Sequence, residues 1–189
     1  MAVAASAAVA RRVDGIEDVK PRPISRVRRL WRHLVTDRGH VHAAFPPEEL
    51  VRVENAIAEG ERAHAGQVCF AIEAALPAAR VWQGVSPRER ALEVFGLLRV
   101  WDTERNDGVL VYVLLADRDV EIVADRGIHA GVGSAAWEAI CTRMEALLRE
   151  GRYAEGIALG VKEISALLAT HSPRGPGDRN ELSDRPIVL

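Results

Sequence analysis

Carboxylate side chains crowd both ends of one apolar stretch near the middle of the chain. The segment from Asp107 to Gly127 reads DGVLVYVLLADRDVEIVADRG, and two further acids, Asp102 and Glu104, precede it. Clustered carboxylate oxygens are the ligands that a hard cation such as Ca²⁺ or Mg²⁺ requires. If the two apolar runs form an antiparallel hairpin, its ends meet in space. The sequence then predicts a metal site at Asp102, Glu104, Asp107 and Asp125.

A plain polar loop is the alternative explanation for the same acids, because Arg105 can balance the charge of Asp102 and Glu104. The spacing resembles a calcium-binding helix–loop–helix motif only superficially. Asp107 stands at the position of its glycine, and Val113 stands at that of its bidentate glutamate. We reject that motif, so the predicted cation site depends on the proximity of the hairpin ends.

A second kind of chemistry is suggested by Asp125 and Arg126, a carboxylate beside a guanidinium that could hold a phosphate group. The segment GVGSAAW that follows places glycines before a helix, with Ser134 as its expected cap. Such a helix start could bind an anion or form an ordinary turn, and it lacks the spacing and lysine of a nucleotide-binding loop. No nucleophile system is recognisable. The catalytic residues are therefore unknown, with Asp125 and Arg126 as candidates, and no organic cofactor is predicted.

Four arginines mark a candidate partner-binding helix near the N-terminus. In ISRVRRLWRHLV, apolar residues recur at helical spacing and the arginines fill the remaining surface. The apolar positions are Ile24, Val27, Leu30, Trp31 and Leu34, and the basic positions are Arg26, Arg28, Arg29 and Arg32. We expect the apolar stripe to dock on the domain and the basic face to be solvated. Contact of the basic face with a membrane surface or an acidic partner is the sharper alternative.

The hydrophobic pattern predicts the scaffold that must position these residues. QVCFAIEAAL and VLVYVLLA are apolar runs typical of strands covered on both faces. DVEIVAD alternates, with Asp119 and Glu121 on a polar side, and it follows VLVYVLLA closely enough to form an antiparallel hairpin. Ser86, Pro87 and Glu89 form a capping box with proline at the first helical position.

The predicted order of elements is helix, helix, strand, helix, strand, strand, helix, helix. A strand, a crossover helix and a second strand imply a parallel pair, to which the hairpin adds an antiparallel strand. The sequence therefore predicts an α/β fold, a three-layer sandwich with a small mixed sheet and helices on both faces.

Composition is that of a soluble globular protein. The 189 residues are 48% hydrophobic and 28% charged, with a formal net charge of −2, which argues against a nucleic-acid partner. Cys69 and Cys141 lie in apolar surroundings and are expected to be free core thiols. No apolar run is long enough to span a membrane, and no basic residue precedes the alanine-rich start. We therefore expect a cytoplasmic protein that is not itself transmembrane.

Changes in composition divide the chain into three segments. Residues 1–23 mix small residues, charge and proline, and are predicted to form a flexible N-terminal arm. Residues 24–170 are predicted to form a single α/β domain that includes the basic amphipathic helix. Residues 171–189, where proline, glycine and charge replace the apolar pattern, are predicted to form an extended C-terminal tail.

Several motifs resemble the TPM domain family. They include EL..VE..I..GE at residues 49–61 and NDGVLVYVL, which begins at residue 106. Within the family the chain is most similar to the soluble cytoplasmic bacterial branch. The motifs of that branch stand here as RVWDTERN (Arg99 to Asn106), ADRDVEIVADRGI (Ala116 to Ile128) and NELSDRP (Asn180 to Pro186). The resemblance covers roughly residues 26–189.

The resemblance implies an α/β sandwich, with acid phosphatase activity in some members and calcium binding in an acidic groove in others. Membrane-bound relatives carry a signal peptide and a transmembrane tail. Soluble bacterial members are linked to LemA-type membrane proteins, which implies an envelope-associated partner. Many relatives carry an acid where this chain has Ser134, so a ligand is lost there, and Asp125 could partly replace it. We predict a binding or regulatory module, with a weak metal-dependent phosphohydrolase as the alternative.

Overall fold

Two strands that are buried along their whole length organise the fold. In the computed structural model, which describes residues 23–189, β1 (Gln67–Glu73) and β2 (Gly108–Leu114) pair in parallel. Strand β3 (Asp119–Ala124) pairs antiparallel with β2, and β4 (Ile187–Val188) pairs parallel with β1. The sheet order is β3-β2-β1-β4. Residues 1–22 of the predicted arm lie outside the described residues.

Helices cover both faces of this sheet. They are α1 (Pro23–Val35), α2 (Arg38–Ala44), α3 (Pro47–Gly60), α4 (Ala78–Gln83), α5 (Pro87–Leu97), α6 (Arg126–Val132), α7 (Ser134–Arg149) and α8 (Tyr153–His171). A 3-10 turn, Leu115–Asp117, joins β2 to β3. Helices α2, α3, α6, α7 and α8 contribute to the core on one face, and α4 and α5 to the core on the other. The predicted three-layer α/β sandwich is confirmed.

Alternation along the strands feeds the two cores. Successive strand side chains point to opposite faces, so Phe70 enters the larger core and Cys69 the smaller one. The larger core also contains the fully buried Trp137, and the smaller one contains Phe95. Both faces of β1 and β2 are thus mostly apolar because both are covered, and the buried Glu73 at the end of β1 accepts hydrogen bonds from Tyr112 and Arg90.

Of the two helix caps predicted from the sequence, one is observed and the other is not. Ser86 accepts a hydrogen bond from the backbone N–H of Glu89, which confirms the predicted capping box of α5. The prediction that Ser134 caps its helix is wrong. The cap position is Gly133, whose φ of 80° favours glycine, and no side chain caps α7. Helices α2, α4 and α6 were not predicted, because six or seven residues are too few to show a helical period.

Strand β3 has no solvated side. The polar residue Glu121 in its middle is only 1% exposed. Arg88 of α5 donates to the carbonyl of Ile122 at 2.8 Å and lies 3.5 Å from the Glu121 carboxylate. The predicted polar side of this strand therefore does not face water, because a helix with a matching arginine covers it. Alternation reveals polarity but not what covers the polar face.

Helix α1 docks with only part of the predicted apolar stripe inward, because Leu30 packs against the smaller core while the rest of the described stripe faces solvent. Its apolar residues Val27, Trp31 and Leu34 are 59%, 66% and 62% exposed. The inward side also carries Arg29, which is partly buried, and His33, which is 5% exposed. A helix with two distinct stripes can place either one inward, and the chemistry of the surface beneath it decides which.

The group beneath α1 is the buried carboxylate of Asp117, at the tip of the β2–β3 hairpin. Arg29 Nε donates to Asp117 Oδ2 at 2.9 Å, and Arg32 Nη2 donates to Oδ1 at 2.8 Å. His33 Nε2 lies 3.2 Å from the same carboxylate, while its Nδ1 accepts a hydrogen bond from the backbone of Leu76. Burial opposes ionisation of Asp117, but the bonds from His33 and Arg29 hold its pKa below the usual value.

This anchoring gives two of the four predicted partner-binding arginines a structural role. Arg29 and Arg32 hold the helix to the domain through Asp117, and Arg29 is partly buried whereas Arg32 stays exposed to solvent. Arg26 and Arg28 are exposed, so they stay candidates for contact with a partner.

Replacing Asp117 by asparagine should release α1. Removing one partner from a buried ionic cluster costs about 3 kcal/mol or more. We expect amide exchange in residues 26–35 to accelerate roughly a hundredfold, measured by hydrogen–deuterium exchange. Asp102→Asn is the matched control, because Asp102 forms an exposed pair with Arg99 and should change exchange little. Equal protection of α1 in both variants would contradict the anchoring role.

Candidate functional site

The antiparallel hairpin brings Asp107 and Asp125 together at one end of the sheet. Asp107 immediately precedes β2, and Asp125 immediately follows β3. The backbone N–H of Asp125 donates to the carbonyl of Gly108 at 2.8 Å, which continues the β2–β3 ladder by one step. Both carboxyl residues are 3% exposed. These two buried acids, which the hairpin separates in sequence, thus lie at the same end of the sheet, and we call them the acidic pair.

Asp125 is only partly satisfied in this position. Its Oδ1 accepts a hydrogen bond from the backbone N–H of Arg126 at 2.6 Å, at the start of α6. Its Oδ2 is buried and has no hydrogen-bond partner in the structure. Burial raises the pKa of Asp125, and the charge of Asp107 raises it further against the opposing effect of Arg126. An unpartnered buried carboxylate oxygen is rare in folded proteins and calls for an explanation.

Asp107 is tied to the C-terminal tail. Its Oδ2 accepts a hydrogen bond from the hydroxyl of Ser172, which directly follows α8, at 2.7 Å. Its backbone N–H donates to the hydroxyl of Thr103 at 3.1 Å. All three residues are buried. One buried hydrogen bond therefore joins the start of the tail to the carboxylate of Asp107.

Asp102 and Glu104 lie outside this pair. Asp102 is exposed and bonds Arg99 at 2.6 Å, and Glu104 is exposed with its backbone N–H bonded to Glu181. Within residues 23–189, no group of three or more His, Cys, Asp or Glu side chains is arranged to hold a metal ion. The four predicted ligands thus divide into a buried pair and two surface residues, and cation binding stays a prediction.

The predicted phosphate-binding segment is also divided. Arg126 is the exposed first residue of α6, and Ser134 is the first residue of the separate helix α7. The glycines of GVGS lie at the junction of these helices, so they end one helix as much as they begin another. The candidate catalytic residues Asp125 and Arg126 are neighbours, as their sequence positions require.

The tail crosses the same end of the sheet. Gln67, at the start of β1, accepts hydrogen bonds from the backbone N–H groups of Glu181 and Leu182 at 2.7 and 3.1 Å. Arg105 donates to Asp178 at 2.5 Å. Farther along, Ile187 and Val188 form β4 against β1. Residues 172–189 therefore close the acidic end of the sheet with specific bonds.

A polar cavity of about 210 Å³ lies between this tail and the end of α3. Glu61 is 7% exposed and accepts a hydrogen bond from the backbone of Val68 at 3.0 Å. Arg174 donates to the carbonyl of Glu61 at 2.6 Å. Burial, with a further contribution from the nearby carboxylate of Asp184, raises the pKa of Glu61 to about 7.

His64 lines the same cavity and is 1% exposed. Its Nδ1 is 2.9 Å from the carbonyl of Gly66, so in the neutral ring this nitrogen carries the proton. Its Nε2 is buried without a hydrogen-bond partner. Burial lowers the pKa of His64.

Sequence reasoning missed this second group of polar residues. Glu61, His64 and Asp184 are separated by up to 123 positions, counted as 184 minus 61, and no local spacing connects them. Two of them do lie in motifs that carry the family resemblance. Glu61 ends EL..VE..I..GE, and Asp184 lies in NELSDRP. These two motifs meet at the cavity. Their shared occurrence in the family resemblance was therefore the one sequence signal that could have indicated this group of residues.

The fold and the acidic sheet end define an α/β sandwich domain with a buried carboxylate pair beneath its tail. Among known families, the TPM domain matches residues 41–167. This protein belongs to the TPM domain family. No helix in residues 23–189 is long and apolar enough to cross a membrane.

Solved structures include a similar fold. The NMR structure of the BA42 protein from the psychrophilic bacterium Bizionia argentinensis superimposes with a TM-score of 0.67. The two sequences are 24% identical, and the match covers 75% of this chain and 93% of that one. At this identity the likeness bears on the fold alone. No match exists among curated proteins.

Stability should depend on pH through Glu61. A carboxyl whose pKa is raised in the folded state binds its proton more tightly there than in the unfolded chain, so stability falls as pH rises from about 4.5 to about 7. Glu61→Gln removes the charge and keeps the acceptor for Val68. We expect the variant to gain on the order of 2 kcal/mol over wild type at pH 8 and little at pH 4, by urea unfolding. A constant difference across this range would refute the assignment.

Proposed function

We propose that this TPM-domain protein is a non-catalytic binding module in which Asp107 and Asp125 hold a hard divalent cation, Ca²⁺ or Mg²⁺. The supporting observation is the buried, unpartnered Oδ2 of Asp125, which lies close enough to Asp107 for the charge of that residue to raise the pKa of Asp125. Two buried charges of the same sign repel each other. A cation bound between them would relieve this repulsion and would supply the partner that Asp125 Oδ2 lacks.

The chemistry of the pair suits such an ion. Carboxylate oxygens are hard ligands, and Mg²⁺ is commonly bound by one or two carboxylates with waters completing its shell. Asp102 and Glu104 are exposed on the preceding loop and would contribute negative potential to the approach rather than direct coordination. The proposed ligand set therefore narrows from the four predicted acids to the buried pair.

A bound ion would also affect the C-terminal tail. Ser172 donates to the same Asp107 carboxylate that would coordinate the cation. A cation and a hydroxyl donor compete for carboxylate oxygens, so binding would weaken or rearrange this bond. The proposed module thus links cation occupancy to the position of the tail across the sheet end.

Binding is favoured over catalysis by the enclosure of the site. Both acids are almost fully buried, so a phosphate ester has no open route to them. We propose the cytoplasm as the location and a LemA-type, envelope-associated membrane protein as the partner. These two assignments depend on resemblance to the soluble bacterial branch of the family.

A cation titration tests this function directly. With Mg²⁺ or Ca²⁺ at millimolar concentration, we expect amide NMR shifts confined to residues 105–109, 125–128 and 171–173. Asp125→Asn keeps the cap acceptor of α6 and should weaken apparent affinity about tenfold or more, because one of two charged ligands is lost. Asp102→Asn should bind nearly as wild type. Absence of shifts in wild type, or equal weakening by both variants, would overturn the cation site.

A metal-dependent phosphohydrolase is the second candidate, favoured by the raised pKa of Asp125. A carboxyl that stays protonated above its usual range can act as a general acid, and the exposed Arg126 beside it could hold a phosphate. If this reading holds, Asp125→Asn should lower phosphate-ester hydrolysis a hundredfold or more, with Asp102→Asn near wild type. We expect instead equal background rates in all three proteins, which would exclude catalysis by Asp125.

A further inference from the structure

Helix α1 presents a ridge of large apolar side chains to solvent. Val27, Trp31 and Leu34 are spaced by four and three residues, so they form one stripe along the helix. Each is more than half exposed, and Val35 at the helix end is 46% exposed. Contiguous exposed apolar side chains of this size mark interaction surfaces. The docking through Asp117 explains why the ridge faces outward, but not what it contacts.

The charge around the ridge indicates an anionic occupant. The segment PISRVRRLWRHLV contains four arginines and no acid, whereas the whole chain has a net charge of −2. Arg26 and Arg28 are exposed beside Val27, and Arg32 keeps a side chain that is 46% exposed while bonding Asp117. The ridge is therefore flanked by positive charge on an otherwise slightly acidic protein.

A groove continues this surface past the end of α1. It has a volume of about 330 Å³ and combines basic residues, Arg32 and Arg118, with apolar ones, Val35 and Leu115. Tyr153 of α8 lies along the same groove. Basic groups beside apolar surface suit a ligand that carries both a phosphate and an aliphatic part.

The anchoring keeps this surface in place. Asp117 bonds Arg29 and Arg32 and lies against His33, so rotation of α1 to bury its ridge would break a buried ionic cluster. Trp82 is 66% exposed on α4, which packs against α1. A second exposed tryptophan therefore lies on the neighbouring helix.

We propose that α1 and its adjoining groove form a docking surface for the anionic surface of a lipid bilayer. Trp31, Val27 and Leu34 insert at headgroup level, while Arg26 and Arg28 contact lipid phosphates. Tryptophan and arginine both have an apolar body with a polar end, which matches this interface. A protruding ridge one helix wide also fits deformable headgroups better than a protein surface, which would need a complementary groove.

Vesicle co-sedimentation of the full chain tests the proposal. Phosphatidylcholine vesicles with and without phosphatidylglycerol are used in EDTA, so that the acidic pair plays no part and failure here leaves the cation site untouched. We expect binding only with phosphatidylglycerol, and weaker binding at higher salt. Trp31→Ala should lower the partition coefficient roughly tenfold, and the double change Arg26→Glu and Arg28→Glu should lower it by at least about tenfold.

Matched controls separate this surface from general exposure and charge. Leu97→Ala removes an equally exposed apolar side chain from α5, and Arg52→Glu reverses an exposed charge on α3. Both should bind as wild type. Absence of wild-type binding, or equal losses in Trp31→Ala and Leu97→Ala, would overturn the proposal. So would a dimer in analytical ultracentrifugation that Trp31→Ala dissociates, because a second copy would then cover the ridge.

Discussion

Burial of β1 and β2 on both faces is the constraint on which the rest of the structure depends. Every residue in these two strands is buried. A pair of strands of this kind is stable only if helices cover it from both sides, and the chain supplies one helical layer for each face. No polar chemistry can then lie on a face of the central sheet without a buried partner. The two ends of the sheet are therefore the places where charged residues can take part in binding.

The two ends treat their buried acids differently. At the hairpin tip, Asp117 is surrounded by Arg29, Arg32 and His33, so its negative charge is neutralised within the protein and its pKa is lowered. At the opposite end, the carboxylate of Asp107 accepts a hydrogen bond from a hydroxyl, and that of Asp125 accepts one from a backbone N–H. The pKa of Asp125 is raised there. The first end is thereby a structural anchor, and the second is the end at which we propose that a cation binds.

The segments near the two chain ends close these two sites. Helix α1 lies over the hairpin tip, and the segment from Ser172 to Leu189 lies over the acidic pair and pairs with β1. The docking of each terminal segment also changes the surroundings of other side chains. The docking of α1 through its basic side leaves an apolar ridge in solvent. The docking of the tail encloses Glu61 near the carboxylate of Asp184, and the pKa of Glu61 is raised to about 7. Membership of the TPM domain family accounts for the shared sandwich, while these closures involve residues at or beyond the limits of the family match.

Sequence patterns were enough to predict the sandwich, the parallel pair with its antiparallel hairpin, the capping box at Ser86 and the placement of Asp107 and Asp125 at one end of the sheet. These features follow from local periodicity and from the geometry of a hairpin, both of which a single segment encodes. Tertiary structure alone decided the orientation of α1, the burial of Glu121 and the cavity around Glu61. In each case the outcome depended on a distant partner: Asp117 for the helix, Arg88 for the strand and Asp184 for the cavity. Electrostatic pairing across many residues leaves no local pattern, because its energy depends on distance in space and on burial, which only the folded chain defines.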